Sequence, residues 1–216
     1  MCIRDRLESK DSVRVLRQPR NCGPSAARNR ALDAADGRYI LPVDADNVLL
    51  PGAVRSLVEQ LQSAGERVGF IYPAYQYFGN RDYCFRPPAY NLHALLSTNF
   101  ADTCSLLDRQ IFDAGLRYPE DFDLGHEDWD LALTLAARQV IGQPSRGPVM
   151  LYRKQGFTRS DLVEYARLPF WQEIQDRHPD LFGFQDVIKA RFNPALSVVA
   201  AEPIGFQSIA GQELLR

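Results

Sequence analysis

No stretch of the sequence approaches eighteen consecutive apolar residues, so nothing in it predicts a membrane-spanning helix. Cysteine is scarce: Cys2, Cys22, Cys84 and Cys104 are scattered, and no two form a Cys-x-x-Cys pair. The three histidines also lie far apart, and this spacing speaks against a zinc site. Reduced thiols, and hence a cytoplasmic setting, are the default expectation. Neither sign of charge dominates. A net charge of −2 gives no electrostatic reason to expect nucleic acid or an acidic membrane surface as partner. Internal repeats and low-complexity tracts are lacking. No apolar signal-peptide core follows Met1, and residues 1–9 read as a non-native leader.

What is present suits a soluble globular chain. The 216 residues are 45% hydrophobic and 24% charged, enough for one domain with a sizeable core and a small extension. The pattern predicts alternating strands and helices. Val13–Arg17 alternates like a strand. A helix is expected from Pro24 to Gly37, with Ala27, Ala31, Ala34 and Ala35 forming a face that a sheet can approach closely. Its first N–H groups, with Arg28 and Asn29 nearby, could meet an anion. Tyr39–Val43 reads as a buried strand, Pro51–Ser63 as a helix and Val68–Tyr72 as a strand. Residues 75–78 and 83–85 flank Gly79–Asp82 as a hairpin. A short helix over 90–96, a strand over 103–107 and a turn or two of helix over 109–114 follow. A helix over 127–138 and a last strand over 148–153 complete a core spanning 10–158. Residues 159–216 read as a helical to irregular extension, helical over 161–177 with an interruption at Pro169.

Two acidic clusters carry the chemistry. The first is Asp44-Ala45-Asp46, directly after the strand Tyr39–Val43. If the strand geometry persists, Asp44 and Asp46 point the same way at a sheet's C-terminal end, where open α/β sheets bind ligands. Two hard oxygen donors there suit a divalent cation and, through it, a diphosphate. Chance pairs of acids are common, and the bland reading is a strand-to-helix turn capped by Asp46 or Asn47. A calcium loop starting at Asp44 fails, because Val48, Leu49 and Arg55 stand where an oxygen ligand, Gly and Glu belong. An aspartyl-phosphatase reading fails because Asn47-Val48 follows the second acid. The second cluster is His126-Glu127-Asp128-Trp129-Asp130, at the start of a helix. Acids in a first helical turn are favoured by the helix dipole whatever the function. The functional reading is that one of them faces a pocket and takes a proton.

Taken in order, Asn21-x-Gly23, Ala27-Arg28-Asn29, Gly37-x-Tyr39-Ile40, Asp44-x-Asp46 and Glu127-Asp128-Trp129-Asp130-Leu131 resemble the family-two glycosyltransferases of the GT-A fold. The likeness spans roughly Val13 to Ser160. It implies an α/β, Rossmann-related mixed sheet flanked by helices, and transfer of a sugar from a nucleotide-diphosphate sugar to an acceptor hydroxyl with inversion. It further implies Mg²⁺ or Mn²⁺ as cofactor and a saccharide or lipid-linked acceptor, with peripheral membrane association compatible and no nucleic acid. Asp128 is similar to the family's catalytic base, Asp46 to its direct metal ligand, Asp44 to its metal- and ribose-side acid, and Arg28 to part of its nucleotide pocket. Glu127, His126 and Gln155 fall beside these positions. Gln155 follows Tyr152-Arg153-Lys154 where the family often places a metal-binding His. The family's opening strand, with Pro and an aromatic before Asn, is not present. The core is therefore expected to lack about two strand–helix units and to expose a sheet edge. The alternatives are an inactive carbohydrate-binding or scaffold module of the same fold, and a nucleotidyltransferase, which would need a Gly-rich phosphate loop.

Overall fold

The computed structural model describes residues 13–121, 125–156 and 167–183. Its elements, in chain order, are α1 (Gly23–Asp33), β1 (Tyr39–Ile40), β2 (Val48–Leu49), α2 (Ala53–Gln62), β3 (Val68–Gly79), β4 (Cys84–Phe85), α3 (Leu92–Leu95), β5 (Leu106–Asp108), α4 (Gln110–Asp113), α5 (Glu127–Ala137), β6 (Ile141–Lys154), α6 (Arg167–Arg177) and α7 (Pro179–Phe182). The strands form one mixed sheet in the order β1-β5-β3-β6-β2, with β4 also on β3. Only β3 and β6 run parallel; the other pairs are antiparallel.

The centre is β3, buried without a break from Phe70 to Tyr75. Strand alternation sends neighbouring side chains to opposite faces. Ile71 packs with Leu57 and Leu61 of α2 and with Leu106 and Val149. Phe70 and Tyr72 face the other way, into a larger core with Tyr90, Trp129, Leu133 and Leu135. Each such side chain contributes about 1.5–3 kcal/mol by leaving water. The two central strands approach closely at Gly142, where a Cβ would lie 2.5 Å from the Phe70 ring.

The hairpin forms as expected, with Tyr75 opposite Phe85 and Gln76 opposite Cys84, but its first strand is continuous with Val68–Tyr72. The last strand begins at Ile141, before the expected Pro148. Pro144 and Pro148 fall at a register shift, and the Ala74 N–H there donates to the Ser145 hydroxyl at 2.7 Å instead of to a ladder carbonyl. Tyr39–Val43 shrinks to the two paired residues of β1, which are half-buried. The strand expected over 103–107 is displaced to 106–108.

Two expectations fail more fully. Val13–Arg17 forms no strand: alternation supplies a candidate, but neither sheet edge pairs with it. Arg14 instead donates to the Ala34 carbonyl at 2.7 Å and meets Asp36 at 3.0 Å, and Gln18 donates to the Ala26 carbonyl. Helix α1 stops at Asp33, before Gly37, and buries Ser25, Ala26, Asn29 and Leu32, while Ala27 and Ala31 are exposed. The alanines line a groove of about 500 Å³ against Tyr39–Asp44. In the extension, the described part of α6, Arg167–Arg177, runs through Pro169 without the expected interruption. The expected helical residues 161–166 and the tail beyond 183 lie outside the described residues, as does the leader.

Candidate functional site

The site is built from three segments that chain distance keeps apart. Helix α1 supplies Arg28 and Asn29. Asn29 is buried and pins the loop before α5: its carboxamide oxygen accepts the Tyr118 N–H at 2.9 Å, and its nitrogen donates to the Tyr118 carbonyl at 2.9 Å and to Glu120 at 2.8 Å. Arg28, one residue earlier, bridges the two acidic clusters, donating to Glu127 at 2.7 Å and to Asp44 at 3.2 Å. Burial alone would lower the Arg28 pKa, but the Glu127 carboxylate and its neighbours carry it above its ordinary value. The guanidinium stays charged, as arginine in proteins does.

The first turn of α5 points its acids in three directions, as steps of 100° along a helix require. Glu127 is buried against Arg28. Asp130 is buried against Arg177 at 2.8 Å and His178 at 2.9 Å. Burial opposes the charge of Asp130, yet the bonds from His178 and Arg177 hold its carboxyl below the usual range. Asp128 enters a cleft of about 540 Å³ that Arg28, Asp44, Asp102 and Thr103 also line. One of its oxygens accepts the Trp129 N–H at 2.8 Å and the other the Thr103 hydroxyl at 3.3 Å. Burial, then the charges of Asp102 and Glu127, push its carboxyl up to about 7.

The two acidic clusters therefore share one cleft, which Asp44, Glu127 and Asp128 all line. His126 lines it as well, in a left-handed backbone conformation that caps α5. Its ring lies edge-on to Trp129, and burial lowers its pKa. Trp129 belongs to the core, 3% exposed, with its indole N–H donating to the Leu95 carbonyl.

The acid pair after β1 departs from its expected geometry. Residues 44–47 form a turn closed by the Asn47 N–H on the Asp44 carbonyl, so strand alternation no longer applies. Asp44 lines the cleft, whereas Asp46 is exposed and outside its lining. Gln155 is likewise exposed and outside the lining. Asn47 works as a tie, its oxygen accepting the Arg153 N–H at 3.1 Å. Among the described residues no three His, Cys, Asp or Glu side chains gather as a metal site.

Sequence reasoning missed Asp102 and the rings on the cleft wall. Asp102 accepts the Cys104 N–H at 2.8 Å. Burial first, and the Asp44 charge, lift its carboxyl to about 6 against that bond. Its signal is weak, an acid directly before the small run Thr103-Cys104-Ser105, and no spacing rule singles it out.

The sequence profile described as glycosyl transferase family 2 matches residues 3–116, just over half of the chain. The succinoglycan biosynthesis protein ExoO of Rhizobium meliloti (strain 1021) is 38% identical over 56 residues, which is 26% of this chain and 16% of that protein. Among solved structures, S. aureus TarS 1-349 in complex with UDP-GlcNAc superposes with a TM-score of 0.57 at 14% identity, covering 87% of this chain and 68% of that one. The same TarS fragment in complex with UDP gives 0.53 at 16% identity, covering 78% and 48%. The chain thus spans about a sixth of the curated relative and about half of that TarS chain. The structural likeness shows the fold, a GT-A-like mixed sheet flanked by helices, and the profile match shows the lineage: this chain belongs to glycosyl transferase family 2.

Proposed function

We propose that the protein of which this chain forms part transfers a sugar from a nucleotide-diphosphate sugar to an acceptor hydroxyl, with inversion at the anomeric carbon. The observation that carries this reading is that Asp44 and Asp128 line one cleft, with Arg28 tying Asp44 to Glu127, the neighbour of Asp128. In the reaction, the acceptor oxygen bonds to the anomeric carbon as the bond to the diphosphate oxygen breaks. Asp128 takes the acceptor's proton, a contribution of about 10²–10⁴-fold for a positioned base. A carboxylate whose pKa is lifted to about 7 is a better proton acceptor than an ordinary one. Arg28 and Asp44 form the nucleotide side of the cleft, and the guanidinium counters charge developing on the departing diphosphate.

Metal assistance belongs to the same proposal. Mg²⁺ or Mn²⁺ would be held by Asp44, with Asp46 close by in the same turn. Such an ion stabilises negative charge on the leaving group. The complexes of TarS with UDP and UDP-GlcNAc make these the first donors to try. The role of ExoO in succinoglycan biosynthesis suggests cell-envelope or exported polysaccharide as the setting, with a saccharide or lipid-linked acceptor met at the cytoplasmic face of a membrane. No described helix is long and apolar enough to cross a membrane, which fits peripheral association.

A second reading, an inactive saccharide-binding module of the same fold, draws on the exposure of Asp46 and Gln155. The deciding experiment uses the full-length protein. Thermal shift with UDP and UDP-GlcNAc, with and without Mn²⁺, is followed by a product assay. Metal-dependent stabilisation by nucleotide, with turnover, supports the transferase. Saccharide binding with no stabilisation by any nucleotide sugar supports the inactive module.

A further inference from the structure

The cleft has a second wall that the reading above does not use. At the ends of β3, β4 and β6, the ring of Tyr75 is sandwiched between Phe85 and Tyr152, each 4.8 Å from it and inclined by 28°. Tyr77 meets Tyr75 edge-on at 5.1 Å, and the two phenol oxygens lie 3.3 Å apart. All four rings line the same cleft as Asp128. Asp102 lines the cleft together with this wall and the acids. Its charge acts on Tyr75, Tyr152 and Asp128, and Asp44 acts on it. One Asp102 oxygen is tied to the Cys104 N–H, which fixes the carboxylate while its other oxygen remains able to accept.

We propose that this aromatic wall, with Asp102, is the acceptor subsite, and that it takes a pyranoside. This rests on the transferase reading, because it assigns the nucleotide to the Arg28 and Asp44 side. A pyranose has one face of C–H groups and an edge of hydroxyls. Ring faces and edges remove the C–H face from water, while phenol hydroxyls and a fixed carboxylate satisfy the edge. Neither an open-chain polyol nor a serine side chain in a peptide presents such a face to the rings. The hydroxyl to be glycosylated then faces Asp128, with Asp102 holding a neighbouring hydroxyl of the same ring. Asp102 is thus a specificity-determining residue.

The experiment uses the full-length protein and three classes of probe: the methyl glycosides of glucopyranose, galactopyranose and mannopyranose; ribitol; and a serine-containing hexapeptide. Saturation-transfer NMR with irradiation of aromatic protons reads acceptor binding without any donor. The expected result is transfer to the C–H protons of at least one methyl pyranoside, with little to ribitol or the peptide. Phe85→Ala and Asp102→Asn should each weaken that binding about tenfold, whereas Phe112→Leu, in the separate core ring pair with Tyr118, should leave it within twofold. A 2-, 3-, 4- or 6-deoxy series should contain one sugar for which Asp102→Asn makes no difference, identifying the hydroxyl that Asp102 holds. With UDP-GlcNAc as donor, the ratio of transfer to hydrolysis should fall about tenfold in Asp102→Asn. Absence of pyranoside binding overturns the subsite, as does equal binding of ribitol or an equal loss in Phe112→Leu. Absence of nucleotide-sugar binding, with pyranoside binding intact, would instead sink the transferase reading and leave the wall as a saccharide site.

Discussion

The two acidic clusters begin alike in sequence and end differently in space. Glu127, Asp128 and Asp130 sit on the first turn of a helix, and that regular geometry divides their work. Glu127 anchors Arg28, Asp128 enters the cleft, and Asp130 binds the following helices through Arg177 and His178. Asp44 and Asp46 sit on a turn, whose geometry separates them: Asp44 reaches the cleft and Asp46 faces solvent. A helix distributes adjacent acids predictably, because each residue advances by 100°. A turn does not, because its dihedrals follow from what its ends are tied to, here β1 on one side and the Asn47–Arg153 contact on the other.

Substitutions can break this contrast. The largest effect is expected from Asp128→Asn in the full-length protein. Transfer should fall by about 10²–10⁴-fold while nucleotide binding persists. A variant that keeps near wild-type turnover would remove Asp128 as the base. Arg28→Ala comes next, because it strips the buried Glu127 of its partner and unlinks both clusters. Breaking a buried pair costs about 3–5 kcal/mol, and some residual exposure of Arg28 places this one near the lower end. Denaturant unfolding measures the loss, and Glu127→Gln should cost less, since it leaves no buried charge unpaired.

The turn is tested by comparing Asp44→Asn with Asp46→Asn. The first should weaken nucleotide binding strongly and the second far less, by titration calorimetry with UDP and Mn²⁺. Equal losses would mean that the turn rearranges around the diphosphate so that both acids serve.

Smaller effects follow from protonation. Asp128 is raised from the usual 3.8 to about 7. The folded form therefore keeps a proton that the unfolded chain has lost. Stability from this source is fully present below about 3.8, declines as pH rises, and is gone once pH passes about 7. Asp128→Asn should accordingly melt higher than the parent at pH 8, with the gap closing toward pH 4. Activity of the parent should rise with pH through about 7, and Asp102→Asn should move that limb lower by removing a repelling charge. The smallest change is expected from Gln155→Ala. It lies outside the cleft lining, and its kcat and KM should stay within twofold.

Much was legible before any coordinates. The helix carrying Glu127–Asp130 was readable because apolar spacing, acids in the first turn and length agree, and the hairpin over 75–85 because turn residues sit between aromatic runs. The order of the short motifs identified the lineage, and of the residues it singled out, Arg28, Asp44, His126, Glu127 and Asp128 line one cleft, whereas Asp46 and Gln155 do not. The reading failed where a local pattern depended on a neighbour. Val13–Arg17 alternates like a strand but has no edge to pair with. The alanines of α1 suggested a buried face, yet Ala26 and Asn29 are the buried side, because Asn29 must reach the Tyr118 backbone.

The sequence by itself determined the alternation of strands and helices and the chemical types at the cleft, since both follow from side-chain pattern and spacing along the chain. Only the tertiary structure decided that Asp46 turns away, that Arg28 joins the two clusters, and that Asp102 and the Tyr75 ring stack share the cleft. The reason is physical: which way a turn residue points, and which distant side chains meet, is set by strand register and helix packing between segments that the chain holds far apart.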